Sequence, residues 1–153
     1  MTLSEKLKSL NITLPAAPKA AGAYVPAKKV GDLIFVSGQI PMKDGAMMAT
    51  GQVPSRCSPD AAKAAAKQCV LNALAAVSAL PGGIDQITGV ARVGAFISSD
   101  ASFTQQPGVA NGASEFLIEL FGETGRHVRA AVGTNTLPLD AAVEVEFIFT
   151  TTG

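Results

Sequence analysis

The stretch RHVRAAVGTNTLPLDAAVEVE, residues 126–146, decides how the chain is built. Before Leu137-Pro138, Val128, Ala130 and Val132 alternate with Arg129, Ala131 and Gly133. After it, Val143, Val145, Phe147 and Phe149 alternate with Glu144, Glu146 and Ile148. Side chains along a strand point to opposite faces with a period of two. Each run therefore reads as a strand covered on one face, with Arg129 and the two glutamates turned away from the apolar side. Leu137-Pro138 reads as the turn between them, and the two runs as a C-terminal hairpin whose register the spacing leaves open.

Working back from this pair, residues 24–41, YVPAKKVGDLIFVSGQIP, read as a second hairpin. Its turn is Gly31-Asp32 and its buried strand is Leu33–Ser37. Residues 42–57, MKDGAMMATGQVPSRC, carry glycines and Pro54 but no period, which predicts a long loop. Ser58-Pro59-Asp60 is a strong helix start: a side-chain cap, proline at the first helical position, and an acid facing the helix dipole. The apolar stripe Ala62, Ala66, Cys69, Ala73, Leu74, Val77 and Leu80 carries that helix to Pro81-Gly82-Gly83.

Ile87–Ser98, rich in β-branched residues with interspersed glycine and alanine, predicts a strand packed closely on one side. A second helix begins near Pro107, with Val109, Ala113, Phe116, Leu117 and Leu120 on one side and Gly122 past its end. Asn111 lies near its beginning. Leu3, Leu7 and Leu10 predict a short amphipathic helix, stopped by the Pro15–Pro18 segment. The order ββαβαββ implies an α+β architecture with two helices on one face of a mixed sheet. We expect residues 1–153 to form one domain, with 1–20 as a helical N-terminal extension; a chain of this length buries about 70% of its unfolded surface.

Lys plus Arg and Asp plus Glu both total 12, so no net charge is available to hold a polyanion, which argues against nucleic acid as a partner. Hydrophobic residues make up 48% of the chain, which marks a folded rather than a disordered protein. Cys57 and Cys69 lack metal-ligand spacing, and the sole histidine, His127, has no sequence neighbour to complete a shell, so no metal site is expected. The longest charge-free stretch, Gln68 to Ile84, is broken by Asn72, Ser78, Pro81 and two glycines and does not read as a membrane span. The N-terminus lacks the pattern of a secretory signal, and a cytoplasmic location with reduced thiols is expected.

Arg129 is the first candidate for chemistry, because a guanidinium amid an apolar alternation is costly unless it meets an anion. Its planar fork suits a ligand carboxylate; the competing readings are an ion pair with Glu144 or Glu146, or simple solvation on an open face. Glu144 either activates water, should burial bring its pKa towards neutrality, or decorates the surface. Glu146 competes for that role. Tyr24 offers a ring wall to a ligand or caps the edge of the core. Ser37 and Gly38, where a strand ends, bring a hydroxyl and backbone groups to one place, or simply form a turn. No base accompanies Ser37 in sequence, which argues against a hydrolase nucleophile. His127 falls on Arg129's side of its strand and reads as a supporting residue.

Together the segments GAYVPAKKVGDLIFVSGQIP and VRAAVGTNTLPLDAAVEVEFI resemble the two signatures of the reactive-intermediate deaminase family, also called YjgF-like proteins and labelled endoribonuclease L-PSP. The resemblance covers roughly residues 20–150. It implies a chorismate-mutase-like α+β fold and a homotrimer with clefts between subunits. It also implies cofactor-free hydrolysis of enamines or imines such as 2-aminoacrylate to a 2-keto acid and ammonia. Carried over, Arg129 would hold the substrate carboxylate and Glu144 would position or activate water. Ser37 and Gly38 would hydrogen-bond the substrate, Tyr24 would pack on it, and Asn111 would support the pocket. Ala131 stands where many relatives carry a cysteine, which removes a thiol-dependent role. The competing function is a trimeric module that binds a keto acid without turnover. Ribonuclease action has less support, since paired histidines and a basic stripe with aromatics are lacking.

Overall fold

The computed structural model describes residues 1–152. In chain order it forms helix α1 (Leu3–Ser9), strands β1 (Ala27–Val30), β2 (Leu33–Gln39), β3 (Met42–Lys43) and β4 (Ala46–Met47), helix α2 (Pro59–Ser78) and strand β5 (Ile87–Ser98). Helix α3 (Gln106–Phe121) and strands β6 (Val128–Thr134) and β7 (Val143–Thr151) follow. Helix α2 starts where its cap predicts. Ser58 Oγ accepts the Ala61 amide at 3.1 Å ahead of Pro59, and Thr2 with Glu5 forms a reciprocal capping box on α1. The N-terminal extension is helical only over α1; residues 12–20 have no regular structure.

Five strands form one sheet in the order β1-β2-β7-β5-β6, and β3 pairs with β4 in a separate small hairpin. β5 and β6 are parallel and the other pairs antiparallel, so the sheet is mixed. The side chains of Val143, Val145, Phe147 and Phe149 bury against α2 and α3 together with Val93, Ala95 and Ile97 of β5. Gly112 of α3 lets the helices meet: a Cβ there would lie 2.0 Å from the Lys63 carbonyl oxygen of α2. This is the chorismate-mutase-like α+β fold, with its helices packed on one face.

Three local expectations need correction. β6 and β7 do not form a hairpin, because β5 lies between them, and residues 135–142 carry the chain across its end. A period of two fixes the face of a strand but says nothing about which strand lies beside it. The phase of β6 is also reversed. Arg129 pairs in register with Val93, itself opposite the buried Phe147, so the arginine is on the helix side. Val128 and Val132, 70% and 47% exposed, lie on the open side. Finally, residues 42–57 are not one long loop, because they contain the β3–β4 hairpin. After the β3–β4 hairpin, Thr50 bridges to Ala141 and Val53 to Ser99, and Val53 is fully buried.

Candidate functional site

Arg129 is held by α3. Its Nη1 donates to Asn111 Oδ1 at 2.7 Å and to Ser114 Oγ at 3.1 Å. Ser114 Oγ is 2.8 Å from His127 Nε2, and His127 Nδ1 is 2.7 Å from the Gly125 carbonyl. A carbonyl can only accept, so Nδ1 carries the proton; in the neutral ring Nε2 then accepts from Ser114, whose lone pairs take Arg129. The chain Arg129, Ser114, His127, Gly125 is therefore directional and fixes one end of the guanidinium. Among the described residues Arg129 meets no carboxylate. Its charge is left for something else. A cavity of about 200 Å³ lined by Ser114, Ile118, Arg126, His127 and Arg129 opens beside it.

Tyr24, Ser37 and Gly38 gather elsewhere, on a cavity of about 530 Å³. The register of β2 on β7 jumps between Val36 and Gln39, so Ser37 and Gly38 fall outside the ladder pairs. Ser37 Oγ donates to the Val25 carbonyl at 2.8 Å, which ties the Tyr24 segment to β2. Gly38 adjoins Glu144: a Cβ there would lie 3.0 Å from the Glu144 carboxyl carbon and Oε1. Burial, and then the neighbouring Glu146, push the Glu144 carboxyl above its ordinary range. Glu146 itself is engaged by Arg92, Nη1 to Oε2 at 3.5 Å, with Gly94 between them free of any side chain that would intrude.

The candidate residues thus fall into two groups on opposite faces of one sheet. Arg129 shares its face with Val93 and Phe147, whereas Glu144 is in register with Phe96 and Val132 on the uncovered side. Within one chain they do not meet, and the expected alternative of an Arg129 pair with Glu144 or Glu146 is overturned by the same register. Sequence reasoning missed two supporting residues. Ser114 shows as the polar residue beside Ala113 on the buried side of α3. Asn72, in the buried part of α2, donates to the Ile40 and Met42 carbonyls at 3.0 Å and accepts from Gln68 Nε2 at 3.1 Å. It thereby fixes the turn that leads out of Gly38.

Among the described residues, no cluster of three or more His, Cys, Asp or Glu side chains is placed to hold a metal ion, and no helix is long and apolar enough to cross a membrane. Cys57 and Cys69 are buried and free; burial pushes both thiols up, Cys69 far beyond the range in which a thiolate forms.

A family model described as "YjgF/chorismate_mutase-like, putative endoribonuclease" matches residues 4–151, and the chain belongs to that family. The relatives are diverse. Protein TCP17 of Trypanosoma cruzi is 40% identical over 94% of this chain and 91% of its own length. A 2-iminobutanoate/2-iminopropanoate deaminase of Dermatophagoides farinae is 30% identical over 90% of this chain and 92% of its own. The crystal structure of Atu1372 from Agrobacterium tumefaciens, a protein of unknown function, superposes with a TM-score of 0.88 at 40% identity. It covers 98% of this chain and 92% of that one.

Proposed function

We propose that the protein is a hydrolytic deaminase of imines and enamines derived from amino acids, working as a homotrimer whose sites combine Arg129 of one protomer with Glu144 of the next. The observation that carries this reading is the Arg129 guanidinium, which among the described residues meets no carboxylate yet is oriented by Asn111 and Ser114. A cation held this way suits a small organic acid through two parallel hydrogen bonds. The family and its imine-deaminase relative support the choice of substrate.

The opposed faces of Arg129 and Glu144 support an assembly. A heterologous contact, in which one patch meets a different patch of the next copy, brings such groups together around a closed ring. Val30, Val128 and Val132 are exposed on strands with no helix over the open face, beside half-exposed Phe35, and such surface belongs under a partner.

The chemistry needs little machinery. Arg129 holds the substrate carboxylate and so fixes the imine carbon over Gly38. Glu144, ionised, takes a proton from water as its oxygen bonds to that carbon. The proton returns to nitrogen to give a carbinolamine; the hydroxyl proton then passes to nitrogen as the carbon–nitrogen bond breaks and the carbonyl forms, releasing ammonia and a 2-keto acid. Anchoring and proton transfer are the contributions asked of the protein. Tyr24 would pack beside the bound acid and Ser37 would hold the floor. No cofactor enters this scheme. A cytoplasmic setting suits the two free thiols.

Ribonuclease action is less well supported, because the single His127 is engaged at both nitrogens and the chain is neutral. The test uses imines made in situ by an amino-acid oxidase. The purified protein should speed their loss, and Arg129→Ala should lower kcat/KM by about two orders of magnitude or more, the scale on which positioning acts. Arg129→Lys should not restore it. Equal rates with Arg129→Ala would remove the proposal, and keto-acid binding by calorimetry without turnover would assign a binding module instead.

A further inference from the structure

Resting on the deaminase reading, we infer that the substrate carries a bulky apolar side chain, aromatic rather than methyl, and that the segment Pro15–Ala21 selects it. The cavity above Ser37 and Gly38 measures about 530 Å³. Cavities of roughly 300–1,000 Å³ hold drug-sized molecules, so the imine of a three-carbon amino acid leaves most of this space vacant. Gly38 is both its floor and the neighbour of Glu144. A molecule whose imine carbon lies over Gly38 therefore sends its side chain into the cavity.

The walls are apolar and held in place. Pro15, Pro18, Tyr24, Pro26, Ile40 and Met42 all line the cavity. The proline wall has fixed φ angles, and α1 anchors it through buried Leu3 and Leu7 and the Ser4 amide, which donates to Asp85 Oδ1 at 2.8 Å. At its other end the Ala21 amide reaches Tyr24 Oη at 3.4 Å and the Tyr24 amide donates to the Gly22 carbonyl at 2.9 Å, curling the segment round the ring. Met42 adapts to the shape it meets.

The polar residues of the lining point to an apolar guest. The side-chain amide of Asn72 is spent on Ile40 and Met42, and Gln39 Nε2 on the Ser37 carbonyl at 3.0 Å. Lys19, Lys43 and Asp44 are exposed and keep their charges in water. Both amide hydrogens of Asn72 are engaged, so filling the space beside it with hydrocarbon costs no hydrogen bond there and removes apolar surface from water.

The test compares imines generated from phenylalanine and from alanine, alongside calorimetric binding of phenylpyruvate and pyruvate. Wild type should favour the phenylalanine imine by at least about tenfold in kcat/KM, the discrimination an apolar pocket gives for a methylene or two, and should bind phenylpyruvate more tightly than pyruvate. Ala20→Trp, which fills the cavity from the proline side, and Met42→Trp, which fills it from the hairpin side, should each bring both ratios towards one. Equal treatment of the two side chains by wild type, or unchanged ratios in both folded variants, overturns the inference. Turnover of neither imine overturns the deaminase reading instead, and the binding ratio then decides the pocket alone.

Discussion

The Glu144 carboxyl sits above its ordinary pKa range, since its own burial and then the charge of Glu146 both oppose ionisation. In the proposed reaction Glu144 must be ionised to accept a proton, so activity should fall as pH drops through the raised pKa. Glu146→Gln removes the like charge and leaves Arg92 without its partner, and both changes favour the ionised Glu144. The acid limb of the kcat/KM profile should therefore move to lower pH; an unmoved limb would detach Glu144 from the chemistry. Stability follows the same sign. A carboxyl whose pKa is raised by folding opposes folding wherever it is ionised, and ceases to do so below the ordinary carboxylate range. Glu144→Gln should accordingly raise the Tm at neutral pH, with the gain shrinking in acid, as calorimetry across pH would show. The pair Glu144 and Glu146 could be read from their spacing of two, but their Arg92 neighbour could not, because it arrives from β5.

Two glycines of α3 separate packing from propensity. Gly112→Ala drives a methyl group into the Lys63 carbonyl and should destabilise the fold by about 1–3 kcal/mol, the cost of overpacking. Gly108 has open space where its Cβ would be, so Gly108→Ala should stabilise the helix by about 0.5–1 kcal/mol. Denaturant titration of the two variants measures the contrast. The helices, the Ser58 cap and the β1–β2 hairpin were legible in the sequence because each is written in a local period or a start or stop signal. The place of β7 between β2 and β5 was not, since alternation is silent about neighbours. The face of Arg129 was misread for a related reason: on the edge strand β6 the valines face the side without helices, and the arginine finds Asn111 and Ser114 on the other. The motif residues of the candidate site could be named from sequence, whereas their division into two groups depends on register.

Across the whole molecule, the two groups predict complementation. Arg129→Ala and Glu144→Gln chains, each inactive alone, should regain activity when unfolded together and refolded as a mixture. About a quarter of the sites would then draw both native halves, the statistical share in a ring of heterologous contacts. A mixture as inactive as its parents would exclude a site shared between protomers. Val128→Asp places a charge on the uncovered face without touching either group; if the proposed trimer forms through that face, it should shift the mass in light scattering from three chains towards one, with activity lost in parallel.

The position of β7 has a consequence for how the protein is made. It follows the other described strands in chain order, yet it occupies the middle of the sheet and joins the β1–β2 hairpin to the parallel β5–β6 unit. Until residues 143–151 have left the ribosome those two parts have no strand in common, and β2 keeps a bare edge. The hydrophobic seam thus cannot close until β7 has been made, and the nascent polypeptide spends that interval exposed to chaperones and proteases.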